Sequence, residues 1–209
     1  MDLVFILDSS EDINKDKNNW LTMINFVKSI INRFPIGSDA VRVGLIKFSK
    51  TANAEFYLTD HMNLVDLTVR IEQIPFIGQG KNIAAGLYAA NAHVFNASRG
   101  ARPNVPRIAI IITNGRTTEN VKVTQHAVNS LKERNVRIIA VGVTDDVDVD
   151  MLMSISSNSK ALTSLDSNQL LNLLPGMVMP LCACQSASQR TASGYSSASI
   201  DGIAGLVYI

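Results

Sequence analysis

The sequence has 209 residues, 46% of them hydrophobic and 18% charged, which suits one folded domain with a sizeable core and excludes a disordered chain. Lys and Arg number 19 against 18 Asp and Glu, for a net charge of +1; this offers neither the basic excess of a nucleic-acid surface nor a reason for electrostatic attachment to a membrane. No apolar run reaches the roughly 18 residues that a bilayer crossing needs, and the nearest, Leu170 to Leu181, is interrupted by Pro175-Gly176 and Pro180.

Met1 leads directly into an apolar run, Leu3–Leu7, that reads as a buried strand. No signal-peptide pattern precedes it, so the chain is expected either to stay inside the cell or to be a piece of a longer protein. The strand runs into an acidic-hydroxyl loop, Asp8-Ser9-Ser10-Glu11-Asp12. From Trp20 to Phe34 apolar residues recur at helix spacing until Pro35 and Gly37, which predicts the first helix. Val41–Phe48 is the second buried strand. Ala54–Leu58 follows it after only the turn 49–53, too short a link for a parallel crossover, so it is expected as an antiparallel edge. Helices are predicted over Leu64–Ile74, over Asn82–Phe95 (rich in Ala and able to pack closely on a sheet), and over Val121–Arg134 with Asn135 as its C-terminal cap. Arg107–Thr113 and Arg137–Val143 are further buried strands, and Ala161–Leu165 is a weak sixth. Short helices are expected at Val149–Ser156 and Asn168–Leu174.

Strands alternating with helices predict an α/β fold: a doubly wound, mostly parallel six-stranded sheet with one antiparallel edge strand and helices on both faces. Right-handed crossovers place the first strand centrally, the 41–48 strand on one side and the 107–113 strand on the other. Ligands of such sheets bind at the carboxyl ends of the strands that flank the reversal of order. Asp8 and Asn114 are therefore expected at the mouth of one crevice.

Four blocks then carry a resemblance: Asp2-Leu3-Val4-Phe5-Ile6-Leu7-Asp8-Ser9-Ser10, Val41 through Ser49, Gly78 through Leu87, and Pro106 through Arg116. In order and spacing they resemble a von Willebrand factor type A domain of the extracellular-matrix kind, like those of collagen VI and the matrilins. The resemblance covers 1–181 and leaves 182–209 as a Cys-x-Cys and Ser/Ala-rich tail, flexible or truncated. It implies the Rossmann-like fold of that family and an adhesion module, secreted to the matrix. Such a module would bind a protein partner, collagen or another matrix component, within a larger multidomain chain. The alternatives are a purely structural repeat with an inactive crevice and, less favoured, an enzyme on a doubly wound sheet, for which no activated nucleophile, acid-base pair or cofactor fingerprint is found.

The family commonly holds Mg²⁺ in this crevice through an Asp-x-Ser-x-Ser loop, a Thr before the third helix and an Asp after the fourth strand. Hard divalent cations favour such oxygen donors, and an open position can take a partner's carboxylate. Here Asp8 and Ser10 match, Asp12 stands for the second Ser, Lys81 for the Thr and Asn114 for the Asp. Asp8, Ser10, Asp12 and Asn114 thus form a degenerate site for Mg²⁺, Mn²⁺ or Ca²⁺. Lys81 weakens it, because an ammonium has no lone pair to donate. Lys81 is expected either to pair with Asp8 or Asp12 in place of the cation or to point into solvent. Ser9, Gly80, Lys81, Asn82, Gly115 and Arg116 complete the ligand crevice.

Asn96-Ala97-Ser98 is an N-glycosylation acceptor. Asn114-Gly115 is a deamidation-prone pair that also makes a good turn. His61, His93 and His126 are too scattered for a shared site. Gly78-x-Gly80 lacks the strand and the Lys-Ser/Thr pair of a phosphate loop. Asp145, Asp146, Asp148 and Asp150 read as a solvated loop with a helix cap at Asp148, or as a weak cation site. Cys182 and Cys184 are too few for a structural zinc site and poorly spaced to bond each other; if oxidised, their partners lie elsewhere.

Overall fold

A computed structural model describes residues 1–14, 18–117, 119–144 and 146–163. The expected helix 168–174, the Cys-x-Cys pair and the tail 182–209 lie outside them. Among the described residues six strands form one sheet: β1 (Asp2–Asp8), β2 (Arg42–Phe48), β3 (Ala52–Phe56), β4 (Arg107–Thr113), β5 (Val136–Gly142) and β6 (Ala161–Thr163). Their order is β3-β2-β1-β4-β5-β6, all parallel except β3 against β2. The order reverses between β2 and β4 on either side of β1, as the alternation of elements requires.

Among the described residues five α-helices connect the strands: α1 (Asn19–Ile31), α2 (Leu64–Glu72), α3 (Ile83–Ala89), α4 (Val121–Lys132) and α5 (Val149–Ile155). Alternate residues of each strand face opposite layers. Leu3, Phe5, Leu7, Ile108, Ile110 and Ile112 pack in one core with residues of α1 and α2. Val4, Ile6, Ala109, Ile111, Ile138 and Ala140 pack in the other with α3, α4 and α5. Burial on both faces is why the strands read as unbroken apolar runs.

Side-chain caps set several helix starts. Asn63, Asn82, Asn120 and Asp148 each accept a backbone N–H of the first turn, which replaces donors that the helix itself leaves unsatisfied. Asn135 sits at φ 58° after α4, as its expected role in ending that helix requires. The third helix departs from expectation: it turns into a π-helical stretch at Ala90–Val94. It lies so close to the sheet that a Cβ on Gly86 would meet the Phe48 ring at 2.7 Å.

The edge hairpin also differs. Ser49 N–H donates to the Thr51 carbonyl at 2.8 Å, a tighter turn than expected, so pairing starts at Ala52 rather than Ala54. Register then shifts between Leu45 and Ile46, leaving Glu55 as the extra residue of a bulge. Bulges re-aim side chains, and Glu55 meets Lys47 Nζ at 2.8 Å and Arg70 Nη2 at 2.8 Å. Lys47, almost fully buried, also donates to the Pro75 carbonyl at 2.9 Å. This cluster ties β2, β3 and α2 to the segment that leads into Lys81.

Burial pushes the Glu55 carboxyl up, but the hydrogen bonds and charges of Lys47 and Arg70 outweigh it and hold the pKa below the ordinary value. A depressed carboxylate stabilises the fold fully above its unfolded pKa, about 4.3, and loses that contribution as pH falls through the folded value. Glu55→Gln is expected to lower unfolding free energy at neutral pH by on the order of 3 kcal/mol, since Lys47 stays buried without its partner. The gap from the unsubstituted protein should shrink below about pH 4; denaturant titrations across pH measure it, and a gap independent of pH would contradict the assignment.

Candidate functional site

β1 and β4 run side by side and end together, so Asp8 and Thr113-Asn114 meet at the carboxyl edge of the sheet. The loop before α3 closes over them. Ser9 Oγ accepts Ile77 N–H at 2.7 Å, Gly78 N–H donates to Ser9 O at 2.9 Å, and Glu11 N–H donates to Gln79 O at 3.0 Å. This lacing brings Lys81 onto Asp8.

Asp8 has no exposed surface. Its Oδ1 accepts Ser10 N–H at 2.9 Å and its Oδ2 accepts the Thr113 hydroxyl at 2.6 Å. Lys81 Nζ lies 3.2 Å from the same Oδ2 and 3.9 Å from Asp12 Oδ2, and it donates directly to Asn114 Oδ1. The Lys81 side chain is only 4% exposed, so it does not point into solvent. Asn114, also buried, takes a second hydrogen bond on Oδ1 from Arg116 N–H at 3.2 Å.

Of the other crevice residues, Asn82 is occupied as the cap of α3 and Gly80 is exposed with open space where a Cβ would stand. Gly115 is buried at φ 79°, where a Cβ would strike the Asp148 carbonyl at 2.7 Å. Arg116 is exposed and paired with Asp146. Arg116, Thr117 and Asp148 line a small open pocket beside the crevice.

The donor set does not fit a divalent cation. Mg²⁺ asks for near-octahedral oxygens at about 2.0–2.1 Å. Here a cationic nitrogen stands between Asp8 and Asn114, the two groups that would share the ion. Ser10 Oγ, buried, is the one hydroxyl of the set with no protein partner. Among the described residues no group of three or more His, Cys, Asp or Glu is placed to hold a metal. The histidines stay apart, His61 against Phe56 and His126 against Tyr88. Asp146 and Asp148 are engaged as an ion pair and a helix cap.

Sequence reasoning missed, besides the Lys47–Glu55–Arg70 cluster, a buried charge centre at the opposite edge of the sheet. Asp2 is fully buried and accepts Arg102 N–H at 2.7 Å and Arg102 Nε at 2.9 Å. The guanidinium also donates to the carbonyls of Met1 and Ala40, at 2.8 and 2.9 Å. An acid at the head of an otherwise apolar strand was the available signal.

The von Willebrand factor type A domain model matches residues 2–175. The chain belongs to that family. It is 30% identical over 190 residues to the human collagen alpha-6(VI) chain, covering 90% of this chain and 8% of that one. It is 26% identical over 185 residues to chicken matrilin-1, covering 87% of this chain and 36% of that protein. The chain thus spans a small part of the relatives it matches, and these relatives are matrix proteins, not enzymes. Among solved structures it resembles proximal thread matrix protein 1 of the mussel byssus with a zinc-occupied MIDAS motif, with TM-score 0.74 and 27% identity, covering 87% of this chain and 45% of that one. The fold of the type A domain, doubly wound with an antiparallel edge, is thereby established for this chain.

Proposed function

We propose that this domain is a secreted extracellular-matrix module that binds a protein partner, collagen or another matrix component, through the crevice at the carboxyl edge of the sheet, without a divalent metal. The collagen VI and matrilin relatives support the matrix setting and a larger multidomain chain. The single observation behind the metal-free crevice is the Lys81 ammonium held between Asp8 and Asn114. It supplies the positive charge that balances Asp8 and leaves no ligand position for a partner's carboxylate. Recognition then falls to the exposed rim: Glu11, Gly80, Arg116 and the partly exposed Asp12.

The test is binding to immobilised collagens and other matrix proteins, with and without EDTA. Binding should persist in EDTA and weaken about tenfold in Arg116→Glu or Asp12→Arg, as rim charges act on encounter and register. Rim variants that bind normally would make the domain a spacer within its parent chain. Binding abolished by EDTA would reinstate a metal.

Asn96 fits the same setting. It is exposed, with Ser98 Oγ 3.0 Å from its Oδ1. It lies in the segment that precedes β4, at the edge roughly 20 Å from the crevice, a strand's length away. A glycan there would leave the rim clear. Material made through a secretory pathway should lose mass on N-glycosidase treatment, and Asn96→Gln should not; equal masses before and after treatment would remove this site.

A further inference from the structure

We propose that Lys81 and Asn114 become joined by an isopeptide bond, formed within the folded domain with Asp8 as proton carrier. It rests on the placement of Lys81 in the metal-free crevice, but not on the adhesion reading.

Three groups are needed for such a bond: an amine, a carboxamide and an acid-base group between them, all shielded from water. Lys81 Nζ contacts Asn114 Oδ1 directly, and Asp8 Oδ2 lies 3.2 Å from the same nitrogen. The Lys81 side chain is 4% exposed, Asp8 0% and Asn114 3%. Arg116 N–H donates to Asn114 Oδ1 at 3.2 Å, where it polarises the carbonyl and can hold negative charge on that oxygen. Thr113 Oγ1 and Ser10 N–H fix the Asp8 carboxylate in place. Fixed, water-free apposition of this kind gives intramolecular reactions very high effective concentrations.

The step balances without an oxidant or co-reactant. Asp8 takes a proton from the Lys81 ammonium. The freed lone pair of Nζ attacks Asn114 Cγ, and the new C–N bond forms as the carbonyl electrons move to Oδ1. Asp8 returns its proton to Nδ2 and accepts one from Nζ. The Cγ–Nδ2 bond breaks and neutral ammonia leaves. Asp8 keeps the last proton and ends as a neutral acid facing the new amide, so no unpaired charge stays buried once the ammonium is consumed. The link would clamp the loop before α3 to the end of β4, across the crevice, between residues 33 apart in sequence.

A competing loss of ammonia exists at the same residue, since Asn114 precedes Gly115 and could close a succinimide. The Gly115 nitrogen that would attack is engaged by Thr113 Oγ1 at 3.2 Å, whereas Nζ is held at the carboxamide oxygen Oδ1 of Asn114.

Intact mass of the folded chain, freshly purified and after prolonged incubation, tests the bond. The expected mass is lower than the sequence mass by one ammonia. Trypsin should release a branched peptide joining Lys81 to Asn114, uncleaved at Lys81. Lys81→Arg and Asp8→Asn, both close in size and checked for folding by circular dichroism, should show the full sequence mass and a lower unfolding midpoint. Folded wild-type protein at full mass overturns the proposal. Ammonia loss that persists in Lys81→Arg overturns it as well, in favour of the succinimide. Loss that persists only in Asp8→Asn overturns the part given to Asp8. None of these outcomes bears on binding to matrix proteins.

Discussion

Lys81→Met should destabilise the domain by about 3–5 kcal/mol, the usual result of removing one partner from a buried ion pair. The reason lies in Asp8, which has no exposed surface. Without the ammonium its charge is balanced only by the Thr113 hydroxyl and Ser10 N–H. Asn114 Oδ1 also loses its Lys81 donor. For a domain of this size the midpoint of thermal unfolding should fall by roughly 10 °C. A solvent-facing lysine would behave differently, because surface substitutions commonly shift stability by less than about 0.5 kcal/mol. Denaturant unfolding of Lys81→Met separates the two, and a loss that small would remove Lys81 from the centre of the crevice.

The second large effect is expected at the opposite edge. Arg102→Met should cost about 3–5 kcal/mol, because Asp2 would remain buried and charged with only a backbone N–H as donor. The carbonyls of Met1 and Ala40 would lose the guanidinium at the same time. Asp2→Asn should cost less, on the order of 1–2 kcal/mol, because the Arg102 side chain is 18% exposed and can be partly hydrated once its acid is gone. The order of the two variants is the informative quantity. Equal losses, or a larger loss in Asp2→Asn, would mean that backbone geometry rather than charge burial dominates there.

These two centres differ in how far they could be read from the sequence. Strand order followed from the alternation of elements and the handedness of crossovers, so Asp8 and Asn114 could be set at one edge without coordinates. The unbroken apolar runs of β1, β4 and β5 were legible because both faces of the sheet are covered. What the sequence hid depends on side-chain reach and local irregularity. The tight turn at 49–51 moved the start of the edge strand, and the bulge at Glu55 aimed a carboxylate at Lys47, a charge that stood in plain view within an apolar run. The π-helical end of the third helix has no periodicity of its own. Arg102 lies in a loop 100 residues from Asp2, a pairing that no local pattern encodes. At the crevice, the residue types left two orientations open for Lys81. The lacing of the 8–12 loop to the 77–79 segment is what decides the geometry, through two backbone hydrogen bonds and one to the Ser9 hydroxyl that sequence does not announce.

The most direct test of a crevice whose metal position is filled by Lys81 is calorimetric titration of the domain with Mg²⁺ and Mn²⁺. The wild-type protein should show no saturable binding at millimolar metal, whereas Lys81→Thr combined with Asn114→Asp, which replaces the ammonium with oxygen donors beside Asp8 and Asp12, should acquire it. Clear sub-millimolar binding by the wild-type protein, abolished in Asp8→Ala, would contradict the account.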